Sequence, residues 1–140
     1  LPSLAARYAA HDASTRQIAQ WLTQQPEVTQ VLHPALPGSP GHAHFLQTCR
    51  AAGGLVSMVF EAHRHPSAQV EAFVDALKLF KIGYSWGGPL SLVMPYELHG
   101  MRHHGPLAGM QGTLVRLAVG LEKVDDLIAD LDQAFRVLRG

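Results

Sequence analysis

Leu114-Val115-Arg116-Leu117-Ala118-Val119-Gly120-Leu121-Glu122 is the stretch that decides the fold, read together with the upstream Ile82-Gly83-Tyr84-Ser85-Trp86-Gly87-Gly88. In an extended chain successive side chains point to opposite faces. Val115, Leu117 and Val119 then form one purely apolar face, and Leu114, Arg116 and Ala118 form the other. The apolar set suits the domain's own helices. The face with the arginine must look toward a partner domain or a cleft. A guanidinium in the middle of an apolar strand is costly unless an anion answers it, and its planar fork suits a carboxylate. Ser85 and Trp86 precede a glycine pair, where the backbone can turn sharply or admit a close neighbour.

Working outward, Leu4 to Gln25 lacks proline and glycine, carries Leu4, Tyr8, Ile18, Trp21 and Leu22 as its apolar residues, and reads as a long helix stopped by Pro26. Val28 to Leu32 reads as a short strand, and His33 to Gly41, with three prolines and two glycines, as a loop. Ala43 to Ala51 reads as a helix ended by a left-handed stop at Gly53-Gly54. Leu55 to Phe60 alternates as a strand, Glu61 to Ser67 is a polar turn, and Ala68 to Leu79 places Val70, Phe73, Val74 and Leu77 at helical spacing. Leu90 to Met94 is a short strand before Pro95. Pro95 to Gly112 has neither period and is long for a loop in a compact domain. After the strand Leu114 to Val119, the residues Val124, Leu127, Ile128, Leu131, Phe135 and Leu138 mark a final amphipathic helix. This order implies an α/β (α+β) sandwich, a small mixed or antiparallel sheet with helices covering one face.

Composition narrows the function classes. Eleven basic residues balance eleven acidic ones in 140, which argues against nucleic acid and anionic membranes as partners. No apolar run approaches the length of a bilayer span. One cysteine, Cys49, excludes an internal disulfide, sits in a helical pattern, and reads as a partly buried, inert thiol. The cytoplasm is the default compartment. The chain opens at Leu1 and goes almost at once into a helix pattern, which is compatible with a truncated start. Nine histidines, among them the close pairs His42/His44, His63/His65 and His103/His104, raise a metal site. The pairs lie in separate loops with one cysteine available, so no metal site is expected.

Several of these residues also carry a resemblance. Ser85-Trp86-Gly87-Gly88, the Arg116-Leu117-x-x-Gly120-x-Glu122 strand, the acidic-leucine run Asp125-Asp126-Leu127-Ile128-Ala129-Asp130-Leu131, and Val31 to Gly38 with Gly41-His42 occur in order along nearly the whole chain. They resemble the C-terminal domain of the pyridoxal-phosphate (PLP)-dependent enzymes of cysteine and methionine metabolism, most closely the bacterial cystathionine β-lyase branch. Trp86 favours that branch over the γ-synthases, which usually carry leucine there, and a related γ-synthase or γ-lyase domain is the alternative within the family. The family usually has serine or histidine where this chain has Ala118, which removes one supporting hydrogen bond but not the arginine fork.

The resemblance implies that residues 1–140 form a single small C-terminal domain of a fold-type I PLP enzyme, with 1–25 a long linking helix. It implies that the PLP-binding domain lies upstream and supplies the lysine, the cofactor and a catalytic tyrosine. It further implies a homotetrameric parent that converts L-cystathionine to homocysteine, pyruvate and ammonia. Arg116 would bind the substrate carboxylate, with Ser85 and Trp86 lining the pocket, while Tyr84 is left a structural role. Lys78, Lys81 and Lys123 stand in no context resembling the family's lysine motif, so this chain alone is expected to be inactive. Read from the residues without the resemblance, the alternative is a free-standing module that binds a small carboxylate or amino acid without transforming it.

Overall fold

The computed structural model describes residues 2–101, 104 and 108–140. Its elements run α1 (Leu4–Leu22), β1 (Gln30–Leu32), α2 (His42–Thr48), β2 (Leu55–Phe60), α3 (Ser67–Asp75), β3 (Lys81–Ile82), β4 (Leu92–Glu97), β5 (Thr113–Ala118) and α4 (Val124–Arg139). The five strands form one sheet in the order β1-β2-β5-β4-β3. All pairs are antiparallel except β3 with β4, so the sheet is mixed.

The strand alternation gives the sheet one core face. Val56, Met58, Val93, Val115 and Leu117 are all at most 1% exposed, and they pack against Ile18 and Leu22 of α1, Val70 and Phe73 of α3, and Leu127, Leu131 and Phe135 of α4. Phe60, Phe73 and Phe135 form a mutual aromatic cluster, with Phe73 and Phe135 centroids 4.9 Å apart. Burial of these side chains is the main stabilising term. The opposite face keeps Leu114 and Arg116 half-buried.

The structure corrects several local expectations. The buried stripe of α1 is His11, Thr15, Ile18, Ala19 and Leu22. Leu4 and Tyr8, read as part of an apolar stripe, are 49% and 44% exposed. Helix α2 stops at Thr48, because Cys49 is already extended, so the glycine pair at 53–54 does not cap it. Cys49 is exposed rather than partly buried.

Helix α3 ends at Asp75, four residues short of Leu79. The amides of Lys78, Leu79 and Phe80 donate to the Asp130 carboxylate of α4 instead of to their own helix. That diversion aims the chain into β3, which its two residues were too short to announce. Strand β4 begins at Leu92, not Leu90, and runs through Pro95, which pairs with Val115. The nitrogen of Pro95 faces the β3 side of the strand, where β3 has already ended at Ile82 opposite Val93. No ladder bond is lost there. The long loop therefore starts at Leu98, and Arg102, His103 and residues 105–107 within it lie outside the described residues.

Candidate functional site

Arg116 sits in the centre of β5, flanked in register by Ser57 on β2 and Met94 on β4. Its Nη2 donates to the carbonyl oxygens of Gly83 at 3.3 Å and Tyr84 at 2.6 Å. Its Nε is buried without a partner, and no acidic side chain pairs with it among the described residues. Carbonyl dipoles orient the guanidinium but do not neutralise it. Nη2 is anchored on backbone, and Nη1, with most of a full positive charge, remains available to an anion. A cavity of about 310 Å³ opens on this face, with Leu32, Ser57, Tyr96, Leu98, Leu114 and Arg116 among its walls.

The same bonds place the other two expected site residues. Gly83 and Tyr84 immediately precede Ser85 and Trp86, so Arg116 fixes the start of their turn. Ser85 is exposed and Trp86 is 65% exposed. Tyr84, assigned a structural role from sequence, is 69% exposed, and its contribution comes through its carbonyl.

Residues beyond the turn explain why Gly120 and Glu122 belong to the motif. Glu122 accepts from the Ser91 amide and from the Ser91 hydroxyl, each at 2.8 Å, and Ser91 Oγ accepts the Gly120 amide at 2.9 Å. A Cβ at Gly120 would lie 2.5 Å from the Pro89 carbonyl oxygen and 2.6 Å from the Leu90 carbonyl carbon. Only glycine permits that approach. The strand carrying Arg116 thus also grips the chain downstream of the Trp86 turn. Sequence reading took Gly120 and Glu122 as pattern alone and missed Ser91, whose only signal was its place after Pro89-Leu90.

Among the described residues the histidines do not assemble into a second site. No group of three or more His, Cys, Asp or Glu side chains is placed to hold a metal ion among the described residues. His65 pairs with Gln69, His42 with the Pro34 carbonyl, and His33 is buried with both ring nitrogens unpartnered. Burial, reinforced by the Arg16 charge and opposed by Asp12, pushes the His33 pKa below its ordinary value.

The lysines do not fit a PLP cradle. Lys81 Nζ donates to the Lys78 carbonyl at 2.6 Å, Lys78 is exposed in the same connection, and Lys123 stands exposed at the entrance to α4. No helix among the described residues is long and apolar enough to cross a membrane.

Comparison with known proteins matches residues 1–136 to the family described as Cys/Met metabolism PLP-dependent enzyme. Cystathionine beta-lyase of Escherichia coli K12 is 40% identical over 138 residues, covering 96% of this chain and 34% of that protein. The Salmonella typhimurium cystathionine beta-lyase is 42% identical over 137 residues, with the same shares covered. A cystathionine gamma-lyase from Sus scrofa is 34% identical over 143 residues, covering 97% of this chain and 34% of that protein. Among solved structures, the cystathionine gamma synthase of Xanthomonas oryzae pv. oryzae in complex with cystathionine superposes with a TM-score of 0.81 at 31% identity. That match covers 98% of this chain and 36% of the synthase. The chain therefore spans about a third of the length of the relatives it matches.

Proposed function

Since the chain belongs to the Cys/Met metabolism PLP-dependent enzyme family, we propose that it is the substrate-carboxylate-binding C-terminal domain of a cystathionine β-lyase. The fold agrees, being the C-terminal domain of a fold-type I PLP enzyme. The observation that carries the reading is Arg116, with backbone carbonyls holding one nitrogen and no acid among the described residues answering its charge. A carboxylate seated against the free Nη1 of the guanidinium would hold an amino-acid substrate by charge-assisted hydrogen bonding and orient its Cα bonds, which is catalysis by positioning. Ser85 and Trp86, held on the adjoining turn, complete this domain's share of the pocket.

PLP is the family's cofactor and supplies the electron sink for elimination at Cβ. In this reading the lysine and the phosphate site belong to a PLP-binding domain elsewhere in the enzyme and this domain alone is inactive; the lack of a cradle among the described residues supports it. The surface supports such a partner. Ile82, Tyr84, Trp86 and Leu90 are each 64–69% exposed, a run of large apolar side chains that a neighbouring domain or subunit of the tetramer would cover. The proposed reaction is the α,β-elimination of L-cystathionine to homocysteine, pyruvate and ammonia. Similarity to beta-lyases at 40–42% identity, against 34% for the pig gamma-lyase, supports the β branch.

The test is pyruvate release from L-cystathionine by the full-length enzyme carrying Arg116→Ala or Arg116→Lys. Loss of the guanidinium should lower kcat/KM by roughly 10²–10³-fold in the alanine variant. Lysine should recover only part, because a point charge cannot reproduce the fork. An alanine variant within about threefold of wild type would refute the role of Arg116. Saturable binding of amino acids to the 140-residue chain, without lyase activity in any longer form, would replace the lyase by a carboxylate-binding module.

A further inference from the structure

The Ser85–Gly88 turn is held at both ends by groups distant in sequence. At its start are the Arg116 bonds to the Gly83 and Tyr84 carbonyls. At its end, Nε2 of His11, on α1, lies 3.0 Å from the carbonyl oxygen of Gly88. A carbonyl can only accept, so this nitrogen must carry the proton.

His11 is only 3% exposed and is itself tightly placed. A Cβ at Gly54 would lie 3.2 Å from its Cβ and 3.1 Å from the Val119 carbonyl, so the glycine provides the room in which the imidazole sits. The flanking residues on the same helix face lock α1 in register. The Tyr8 hydroxyl donates to the Ala51 carbonyl at 3.0 Å, and the Ala52 amide donates to Asp12 Oδ1 at 2.6 Å. Burial raises the Asp12 carboxyl while Arg16 and the Ala52 amide lower it, and the lowering wins. Asp12 therefore stays ionised and keeps its grip near neutral pH.

We propose that His11 is a positioning residue of the carboxylate site, holding Gly88 so that Ser85, Trp86 and the Tyr84 carbonyl stay in the geometry that orients Arg116. The proposal rests on the reading of Arg116 as the carboxylate-binding group. The physical need is clear from the turn, in which Gly87 has a φ of +72° and neither glycine contributes a side-chain anchor. Such a turn is entropically free unless its ends are tied. Arg116 ties one end and His11 the other. Through His11, long helix α1 is coupled to the site without touching substrate.

The experiment uses the full 140-residue chain as wild type, His11→Phe and His11→Gln. Phenylalanine keeps bulk without a donor, and glutamine carries an amide N–H that can reach the same carbonyl. Nitrogen-15 relaxation reads the order of the Ser85–Gly88 amides, and the Arg116 Nε–H resonance reads binding of L-alanine. We expect the phenylalanine variant to loosen the turn and weaken L-alanine binding about fivefold to tenfold, and glutamine to restore both. A turn equally ordered in wild type and His11→Phe, or a glutamine variant indistinguishable from phenylalanine, overturns the proposal. So does a wild-type His11 carrying its proton on Nδ1 in a long-range nitrogen–proton spectrum, a readout that needs no variant to fold. If L-alanine leaves wild-type Arg116 unmoved, the carboxylate needs the partner domain as well, the KM for L-cystathionine of the full-length enzyme carrying His11→Phe replaces that readout, and the turn order and tautomer still decide the role of His11.

Discussion

Replacing Asp130 with alanine tests how a helix residue on α4 sets up the site-bearing edge of the sheet. Asp130 is 5% exposed. Its carboxylate accepts the amides of Lys78 at 2.8 and 3.1 Å, Leu79 at 2.8 Å and Phe80 at 3.3 Å. Hydrogen bonds to a charged acceptor contribute about 1.5–3 kcal/mol each. The Lys78 and Leu79 amides belong to exposed residues that water can reach once the carboxylate is gone, so each counts for about 1 kcal/mol, whereas the Phe80 amide is buried and loses about 2 kcal/mol. The sum is about 4 kcal/mol for Asp130→Ala, a large part of the 5–15 kcal/mol typical of a domain. Asp130→Asn keeps one carbonyl oxygen and should lose about half as much. Urea unfolding followed by circular dichroism gives the difference directly, with the denaturant slope unchanged if both variants unfold in two states. Amide hydrogen exchange at Phe80 to Tyr84 should rise in parallel, because β3 loses its anchor. A loss below about 1 kcal/mol for the alanine variant would refute the account, and would mean that the short parallel pairing of β3 with β4 holds the edge unaided.

Two further substitutions and conditions give distinct outcomes. Gly120→Ala pushes a methyl group to 2.5 Å from both the Pro89 carbonyl oxygen and Glu122 Oε2, so the Ser91–Glu122 grip must open; a fall in Tm of about 5–15 °C is expected by calorimetry. His33 has a pKa below the ordinary 6.5 in the folded chain. The unfolded state therefore binds more protons, and the stability that His33 contributes is full above pH 6.5 and is lost as pH falls from there toward the folded pKa. The urea midpoint should drop across that interval, and His33→Phe, which has no ionisable ring, should flatten the drop; an equally steep drop in the variant would assign the pH dependence to other groups.

The sequence carried the architecture because period and face are local properties. Val115, Leu117 and Val119 alternate with Arg116, and the structure buries the first three at no more than 1% exposure while leaving the arginine half-buried on the opposite face. The final helix was equally legible, since Leu127, Leu131, Phe135 and Leu138 recur at helical spacing and all face the core. Strand β3 was not legible, because two residues hold no period and its pairing with β4 is set by the Asp130 contacts. Arg116 was singled out as a candidate by a chemical mismatch, a charge in an apolar strand, together with the family resemblance of that strand and the Ser85–Gly88 turn.

What holds that charge in place could come only from tertiary structure. His11 lies 77 residues from Gly88 and Glu122 lies 31 residues from Ser91, and a single histidine or glutamate in a helix or after a strand has no local signature of its partner. Composition and periodicity determined that one sheet face would bury itself and the other would carry an arginine. Which carbonyls orient that arginine, and which distant side chains tie down the turn beside it, depended on how β5, α1 and the Gly83–Leu90 segment meet in space. Those contacts join residues far apart in the chain, and hydrogen-bond geometry is fixed only once the packed core has brought them together.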